Sequence, residues 1–277
     1  MTLPLPTAPL RVAAVQLVSG LDVAENMARA AHWVGEAAGQ GAQFVGLPEY
    51  FCLMGQADED KRAIAETFAT EPQAAHQPLQ HALQALARRH GVWLHGGTLP
   101  LHADGGKVSN SSLVYAPDGR LAARYDKIHL FAFDNGRERY DEGRVQAAGA
   151  TPTALDVAGW HVALSVCYDL RFPELYRQLG PNLICAPAAF THTTGQAHWQ
   201  LLLRARAVEN LSYLMAPAQG GLHANGRRTW GHTTIVDPWG DILAELPEGE
   251  GLALATLEPE RLRQVRSQLP ALQHRRL

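Results

Sequence analysis

Cys167 closes an apolar run, Val162 to Val166, and opens a polar one: Tyr168, Asp169 and Arg171, then Pro173 and Glu174. A strand that ends on a thiol and turns into a helix presents the sulfur at the mouth of a sheet, where open α/β folds hold their ligands. The start of that helix would lower the thiol pKa. A free cysteine also serves as a small buried hydrophobe. That is the reading for Cys52 and for Cys185, which sits inside an apolar strand. For Cys167, local context leaves packing and nucleophilic catalysis balanced.

A nucleophilic thiol needs a base, and acyl transfer needs donors for an oxyanion. None of the 13 histidines stands in a recognisable catalytic setting. Glu49 is the better base. It follows Gln43–Leu47 and Pro48, at the C-terminal end of a buried strand, where a carboxylate is costly unless paired. Lys127 would be its charge partner. It is one of three lysines among 24 basic residues, in a chain that otherwise uses arginine, and its ammonium is more compact than a guanidinium. Taken singly, Glu49 reads as a surface or capping carboxylate and Lys127 as a solvated lysine. There is no His-Glu-x-x-His or Cys-x-x-Cys spacing, no Gly-x-Ser-x-Gly elbow, no P-loop and no dinucleotide fingerprint. Neither metal nor cofactor is expected.

The elements that must position these residues alternate. Leu10–Val18 reads as a strand, and Asp22, with Glu25 three residues on, caps a helix ending at Gly39 and Gly41. Gln43–Leu47 is the next strand, so the unit is β-α-β and its pairing parallel. A short helix is expected near Asp60–Phe68 and an amphipathic one over Ala75–His90, with Leu79, Leu83 and Leu86 on one face. Strands follow at Val92–Leu99, Val108–Tyr115 and Leu121–Tyr125, the last two as a hairpin. Residues 126–149 form a long charged segment whose aromatics favour an ordered loop. Thr153–Val157 and Trp160–Val166 are strands, Pro173–Leu179 a helix and Asn182–Ala186 a strand. Thr194–Asn210 is a helix with Trp199, Leu202, Leu203 and Ala207 on one face. Strands at Leu211–Ala216, Thr229–Asp237 and Gly251–Leu257, a turn at Pro238–Asp241, a helix over Glu260–Ser267 and a basic tail complete the chain. No linker or compositional break divides it, so residues 1–277 read as one α/β domain. QFVGLPEY and NLICAPAAF both run from a strand into a proline, a hint of two similar halves.

Composition narrows the class. At 277 residues, 46% hydrophobic and 18% charged, with a formal net charge of −3, the chain gives no electrostatic reason to expect nucleic acid or an acidic membrane surface. Three cysteines argue against a disulfide framework. The start MTLPLPTAPLR has no basic or apolar region of a signal peptide, and no run is long enough to span a bilayer. A cytoplasmic protein is expected.

GLPEYFCLMG, YDKIHLF and CYDLRFPELYR occur in that order, placing Glu49, Lys127 and Cys167 along the chain. Together these stretches resemble the carbon–nitrogen hydrolase (nitrilase) superfamily, and the match covers most of the chain. The resemblance implies a four-layer α-β-β-α sandwich and a homodimer, with the 260–277 helix and tail at its interface. It implies Cys167 as nucleophile, Glu49 as base, and Lys127 with the backbone N–H of Tyr168 as oxyanion donors. Glu142 takes the place of the family's second glutamate, with Glu138 the alternative. The implied reaction is hydrolysis of a linear carboxamide with release of ammonia through a thioester.

Tyr168 after the cysteine resembles the Nit branch, whose members act on deaminated glutathione or, as ω-amidases, on α-ketoglutaramate. AFTHTTGQAHWQLLLRARAVEN and RLRQVRSQLPALQHRR support that branch, and Gly226–Thr229 and PAQGG lean toward the deaminated-glutathione type. The partner expected is thus a small anionic amide. Arg171 is the candidate for its carboxylate, with an ion pair to Glu174 or Asp169 as the alternative, and Tyr50, Phe190 and Thr194 are candidate pocket walls. A non-catalytic interaction protein of the same fold is the reading from another class; the intact Glu-Lys-Cys set argues against it.

Overall fold

Alternation along one strand sets the layering. In β1 (Leu10–Gln16), Val12 and Ala14 point into a core shared with a second sheet, while Ala13 and Val15 point the other way, onto two helices. The computed structural model describes residues 5–276. The first four residues, part of the segment read as lacking a signal peptide, and Leu277 of the tail lie outside them.

After β1, Asp22 caps α1 (Val23–Gly39), its carboxylate accepting from the Glu25 N–H at 2.9 Å. β2 (Phe44–Gly46) pairs parallel with β1, as the β-α-β reading requires. A 3-10 turn at Asp58–Arg62 replaces the expected short helix. α2 (Pro78–His90) buries Leu79, Leu83 and Leu86 against α1 and the sheet. β3 (Trp93–His95) and β4 (Leu99–His102) stand where one strand was expected, because the chain turns at Gly97 with φ +55. β5 (Val108–Tyr115) and β6 (Leu121–Asp126) form the expected hairpin.

Residues 126–149 are ordered, as their aromatics suggest, but not simply a loop. β7 (Ala132–Asp134) and β8 (Arg139–Asp141) form a small hairpin, and β9 (Gln146–Ala147) joins β5.

The second half repeats the first. β10 (Ala154–Val157), β11 (Trp160–Leu164), α3 (Pro173–Leu179), β12 (Leu183–Cys185), α4 (His192–Asn210) and β13 (Tyr213–Ala216) come in order. The expected Thr229–Asp237 strand is broken at Gly231 and His232, both of positive φ. β14 (Gly220–Leu222) pairs with β15 (Arg228–Trp230), while β16 (Thr233–Val236) joins the sheet. β17 (Ile242–Leu246) was not expected. It is an edge strand whose first two residues, Ile242 and Leu243, are exposed, so its sequence lacks a buried-strand pattern. β18 (Gly251–Leu257) returns to β1, and α5 (Pro259–Gln268) closes the chain.

The sheets run β18-β1-β2-β3-β5-β4 and β10-β11-β12-β13-β16-β17. Along each path the pairings are antiparallel, parallel, parallel, antiparallel, antiparallel. β2 and β12, which carry the two similar proline-ended sequences, hold equivalent places. With α1 and α2 outside the first sheet and α3 and α4 outside the second, the fold is a four-layer α-β-β-α sandwich.

Candidate active site

Three segments leave the sheets and converge. β6 runs antiparallel to β5, and β5 antiparallel to β3, so β6 ends at the same sheet edge as β2. Glu49 lies just past β2, Lys127 just past β6, and Cys167 just past β11 of the facing sheet. All three are buried: Lys127 is 0% exposed, Glu49 1% and Cys167 7%.

Lys127 is the hub. Its Nζ donates to Glu49 Oε1 at 2.9 Å and to Glu142 Oε1 and Oε2 at 3.0 and 2.8 Å. A buried ammonium is disfavoured by desolvation, but the two carboxylates outweigh it and hold Lys127 charged, its pKa well above the usual lysine value. Glu49 is satisfied on both oxygens. Oε1 also accepts from Asn110 Nδ2 at 2.8 Å, and Oε2 from the Ala189 N–H at 2.8 Å. Glu142 accepts further from the Tyr50 hydroxyl at 2.8 Å and from the Phe131 N–H at 2.7 Å. Of the two loop glutamates, Glu142 is the one that contacts Lys127. Glu138 instead accepts from the Thr193 hydroxyl at 2.8 Å, on the exposed side of the β7–β8 hairpin.

Two corners of the site have left-handed backbone. Tyr50 has φ +55 and Cys167 φ +51. Each costs on the order of 1–3 kcal/mol for a non-glycine residue and persists only where its surroundings over-determine it. At the first corner the Tyr50 N–H donates to Thr98 Oγ1 at 3.0 Å. At the second the Cys167 N–H donates to the Pro187 carbonyl at 2.9 Å, and the chain continues into a 3-10 turn over Cys167–Arg171. Asp169, fully buried, ties that turn to the lysine segment. It accepts from the Val166 N–H, the Tyr125 hydroxyl and the His129 N–H at 2.8, 2.7 and 3.0 Å. The Tyr168 N–H, at the head of the turn, has no acceptor among the described residues, so it is free to donate to a ligand oxygen.

The structure corrects one electrostatic expectation. The start of a helix was expected to lower the thiol pKa. Instead burial, then the charge of Glu49, raise the Cys167 pKa well above the usual thiol value, against the lowering effect of Lys127. The cysteine opens one 3-10 turn rather than a helix, and two carboxylates face one ammonium, a formal local charge of −1. At rest the Cys167 side chain is therefore a neutral thiol. Cys52 and Cys185 are buried, as read, and burial pushes Cys52 up to about 12.

A cavity opens onto Cys167. Glu49, Tyr50, Glu142, Tyr168, Phe190 and Thr194 line it, as do Phe131, Ala189, Thr191 and Arg227. It is narrow, about 20 Å³, on the order of one water molecule. Tyr50, Phe190 and Thr194 thus stand in the wall. Arg171 does not line the cavity, and among the described residues it makes no ion pair with Glu174 or Asp169. Its guanidinium lies 5.8 Å from the Tyr168 ring and 5.6 Å from the Phe190 ring, both of which line the cavity, and 3.2 Å from His198 Nδ1. Sequence reasoning missed Asn110, Asp169 as a tie, Phe131 and Arg227. A polar Ser-Asn-Ser-Ser run inside the fully buried β5 was the available signal for Asn110. Among the described residues no group of three His, Cys, Asp or Glu side chains is placed to hold a metal ion, and no helix is long and apolar enough to cross a membrane.

Comparison with known proteins gives a consistent picture. The carbon-nitrogen hydrolase family profile matches residues 11–267. The chain is similar to the deaminated glutathione amidase of Synechocystis sp. (strain PCC 6803 / GT-S), at 42% identity over 96% of this chain and 98% of that one. It is also similar to the omega-amidase NIT2 of Homo sapiens, at 35% identity over 96% and 95%. The solved structure of Saccharomyces cerevisiae Nit3, a member of branch 10 of the nitrilase superfamily, superposes with a TM-score of 0.89 at 30% identity, covering all of both chains.

Proposed function

The chain belongs to the carbon–nitrogen hydrolase family and is a hydrolase of amide C–N bonds other than peptide bonds, and we propose that Cys167, Glu49, Lys127 and Glu142 carry that reaction on a small anionic amide, deaminated glutathione first. The observation that carries this reading is the buried Lys127 ammonium bridging Glu49 and Glu142 beside the Cys167 thiol.

The reaction is set by the resting charges. The Glu49 carboxylate takes the proton of the Cys167 thiol as Sγ attacks the amide carbonyl carbon. The oxygen that becomes negative accepts from Lys127 Nζ and the Tyr168 N–H, donors fixed in a site with little water. Glu49 then passes the proton to the amide nitrogen, the C–N bond breaks, and an acyl thioester to Cys167 remains. Water, deprotonated by Glu49, attacks the thioester carbonyl, and the departing sulfur regains its proton. The leaving group depends on the substrate. It is ammonia, as expected, from α-ketoglutaramate, but from deaminated glutathione the expectation of ammonia is corrected: the amide nitrogen is substituted there and the amine of cysteinylglycine leaves. Both routes release 2-oxoglutarate. Glu142 does no proton transfer; it keeps Lys127 charged and aimed.

Identity of 42% to an amidase named for deaminated glutathione, against 35% to one named omega-amidase, orders the two substrates. Release of 2-oxoglutarate from each tests that order. A kcat/KM for deaminated glutathione well below that for α-ketoglutaramate would reverse it. The acidic–basic set is complete, which speaks against a purely non-catalytic role.

The same reading includes a homodimer and a cytoplasmic setting. Leu201 and Val208 of α4 and Trp239 beside them are exposed, with Val208 against Gly240, an apolar surface of the kind an interface covers. Three free thiols suit a reducing compartment. Sedimentation at micromolar concentration tests the dimer; a single monomeric species would remove it.

A further inference from the structure

We propose that Arg227 recognises the anionic substrate by pairing with its carboxylate; the inference rests on the amidase reading above and names the group that selects charge. Glu49 and Glu142 line the cavity and the Lys127 ammonium paired with them is fully buried, so an anion is repelled there unless a further cation compensates. Among the described residues, Arg227 is the one cationic side chain that lines the cavity.

Its surroundings leave it available. Arg227 sits on the turn between β14 and β15, and that turn is pinned where Asn225 Nδ2 donates to the Gly55 carbonyl at 2.6 Å. The backbone is fixed while the guanidinium is not. Among the described residues it makes one ion pair, with Asp58 at 3.6 Å, and no side-chain hydrogen bond. Asp58 is held more closely by Lys61, at 2.7 Å. The other neighbour is the Tyr140 ring, 5.3 Å away. A planar fork of five donors with no acceptor suits a bidentate carboxylate. The narrowness of the cavity adds to the case. A substrate enters only if a wall gives, and a side chain held by one long ionic contact can turn onto an incoming anion. Arg171 does not line the cavity, and its guanidinium is within 3.2 Å of His198 Nδ1.

The carboxylate could come from the 2-oxo acid unit, which both substrates share, or from the glycine end that only deaminated glutathione has. The experiment compares R227Q, R227K and R171Q on α-ketoglutaramate, its methyl ester and deaminated glutathione, reading release of the keto acid product. R227Q should raise KM by roughly 10- to 100-fold with kcat nearly held, as loss of a charge-assisted hydrogen bond does. The ester should be unaffected, and R227K should recover part of the loss. A loss on both anionic substrates assigns the 2-oxo acid carboxylate, and a loss on deaminated glutathione alone assigns the glycine carboxylate. An equal loss on ester and acid, no loss at all, or a charge-selective loss in R171Q alone would overturn the proposal. If wild-type protein hydrolyses none of the three, the amidase reading falls and takes this one with it. Wild-type turnover with a charge-blind R227Q sinks this inference only. Calorimetric binding of deaminated glutathione to C167A, with and without R227Q, gives the same comparison without turnover.

Discussion

Glu142 grips Lys127 with both carboxylate oxygens, at 3.0 and 2.8 Å, whereas Glu49 offers it only one, at 2.9 Å. The division leaves Glu49 Oε2 to the Ala189 N–H and lets that carboxylate face the thiol. Glu142 is also one of the charges that raise the Cys167 pKa. Replacing it by glutamine should therefore act in two opposite ways. The thiol pKa should fall, so E142Q should react with iodoacetamide faster than wild type at the same pH. Turnover should drop about 10- to 100-fold, the usual loss when a group that orients an active-site partner is removed. A variant with slower alkylation would contradict the charge account.

Lys127→Met tests the hub itself. It removes the ammonium and leaves Glu49 and Glu142 buried side by side, and breaking a buried ion pair by deleting one partner costs about 3–5 kcal/mol. The two carboxylates would then compete for one proton. Denaturant unfolding should show that loss, and it should shrink at low pH, where the carboxylates are protonated. Turnover should fall about 10²- to 10³-fold, as for an oxyanion donor. A variant as stable as wild type at neutral pH would mean that the lysine contributes no net pairing energy.

How far the sequence reveals this site depends on what each residue needs. Glu49, Lys127 and Cys167 each come directly after a recognisable strand, and strands ending in polar residues are visible in one dimension. The helices are legible because caps and apolar spacing are local: Asp22 caps α1, and Leu79, Leu83 and Leu86 are buried in α2. The illegible features depend on contact across the chain. Glu142 and Glu138 are close in sequence and equally acidic, and only the path of the β7–β8 hairpin sends one to Lys127 and the other to Thr193. Arg171 is close to Cys167 in sequence yet does not line the cavity, while Arg227, far along the chain, does. The thiol's charge state is hidden as well, because it depends first on burial and then on two carboxylates, the second of which arrives through tertiary structure.

Gly97 positions Glu49 by proximity. It has φ +55, and a Cβ placed there would lie 2.1 Å from the Pro48 carbonyl oxygen, directly before Glu49. Gly97→Ala must therefore both strain its own backbone, by about 1–2 kcal/mol, and push the Glu49 corner aside. Gly105→Ala is the control, since Gly105 has φ +69 with nothing within 4 Å of the added carbon. Both variants should lose stability in thermal unfolding, G97A more, but only G97A should lose turnover. Equal loss of activity in the two would mean that the corner tolerates displacement.

His95 ends β3 near the same corner and makes the fold sensitive to acid. It is fully buried, and burial pushes its pKa down to about 4. Its Nδ1 accepts from the Gly97 N–H at 3.2 Å, so the proton sits on Nε2, which has no hydrogen-bond partner. The folded imidazole therefore stays neutral where the unfolded one, near 6.5, takes up a proton. Unfolding then binds a proton, and stability falls as pH drops through the interval from about 6.5 to about 4. With about 1.4 kcal/mol for each pH unit, the loss attributable to this residue approaches about 3 kcal/mol at pH 4. His95→Gln should flatten that part of the curve of unfolding free energy against pH, whatever it costs at pH 7. An unchanged slope between pH 6.5 and 4 would show that the imidazole is protonated in the folded protein. The hydrogen bond from Gly97 would then have to break, which would couple acid stress directly to the position of Glu49.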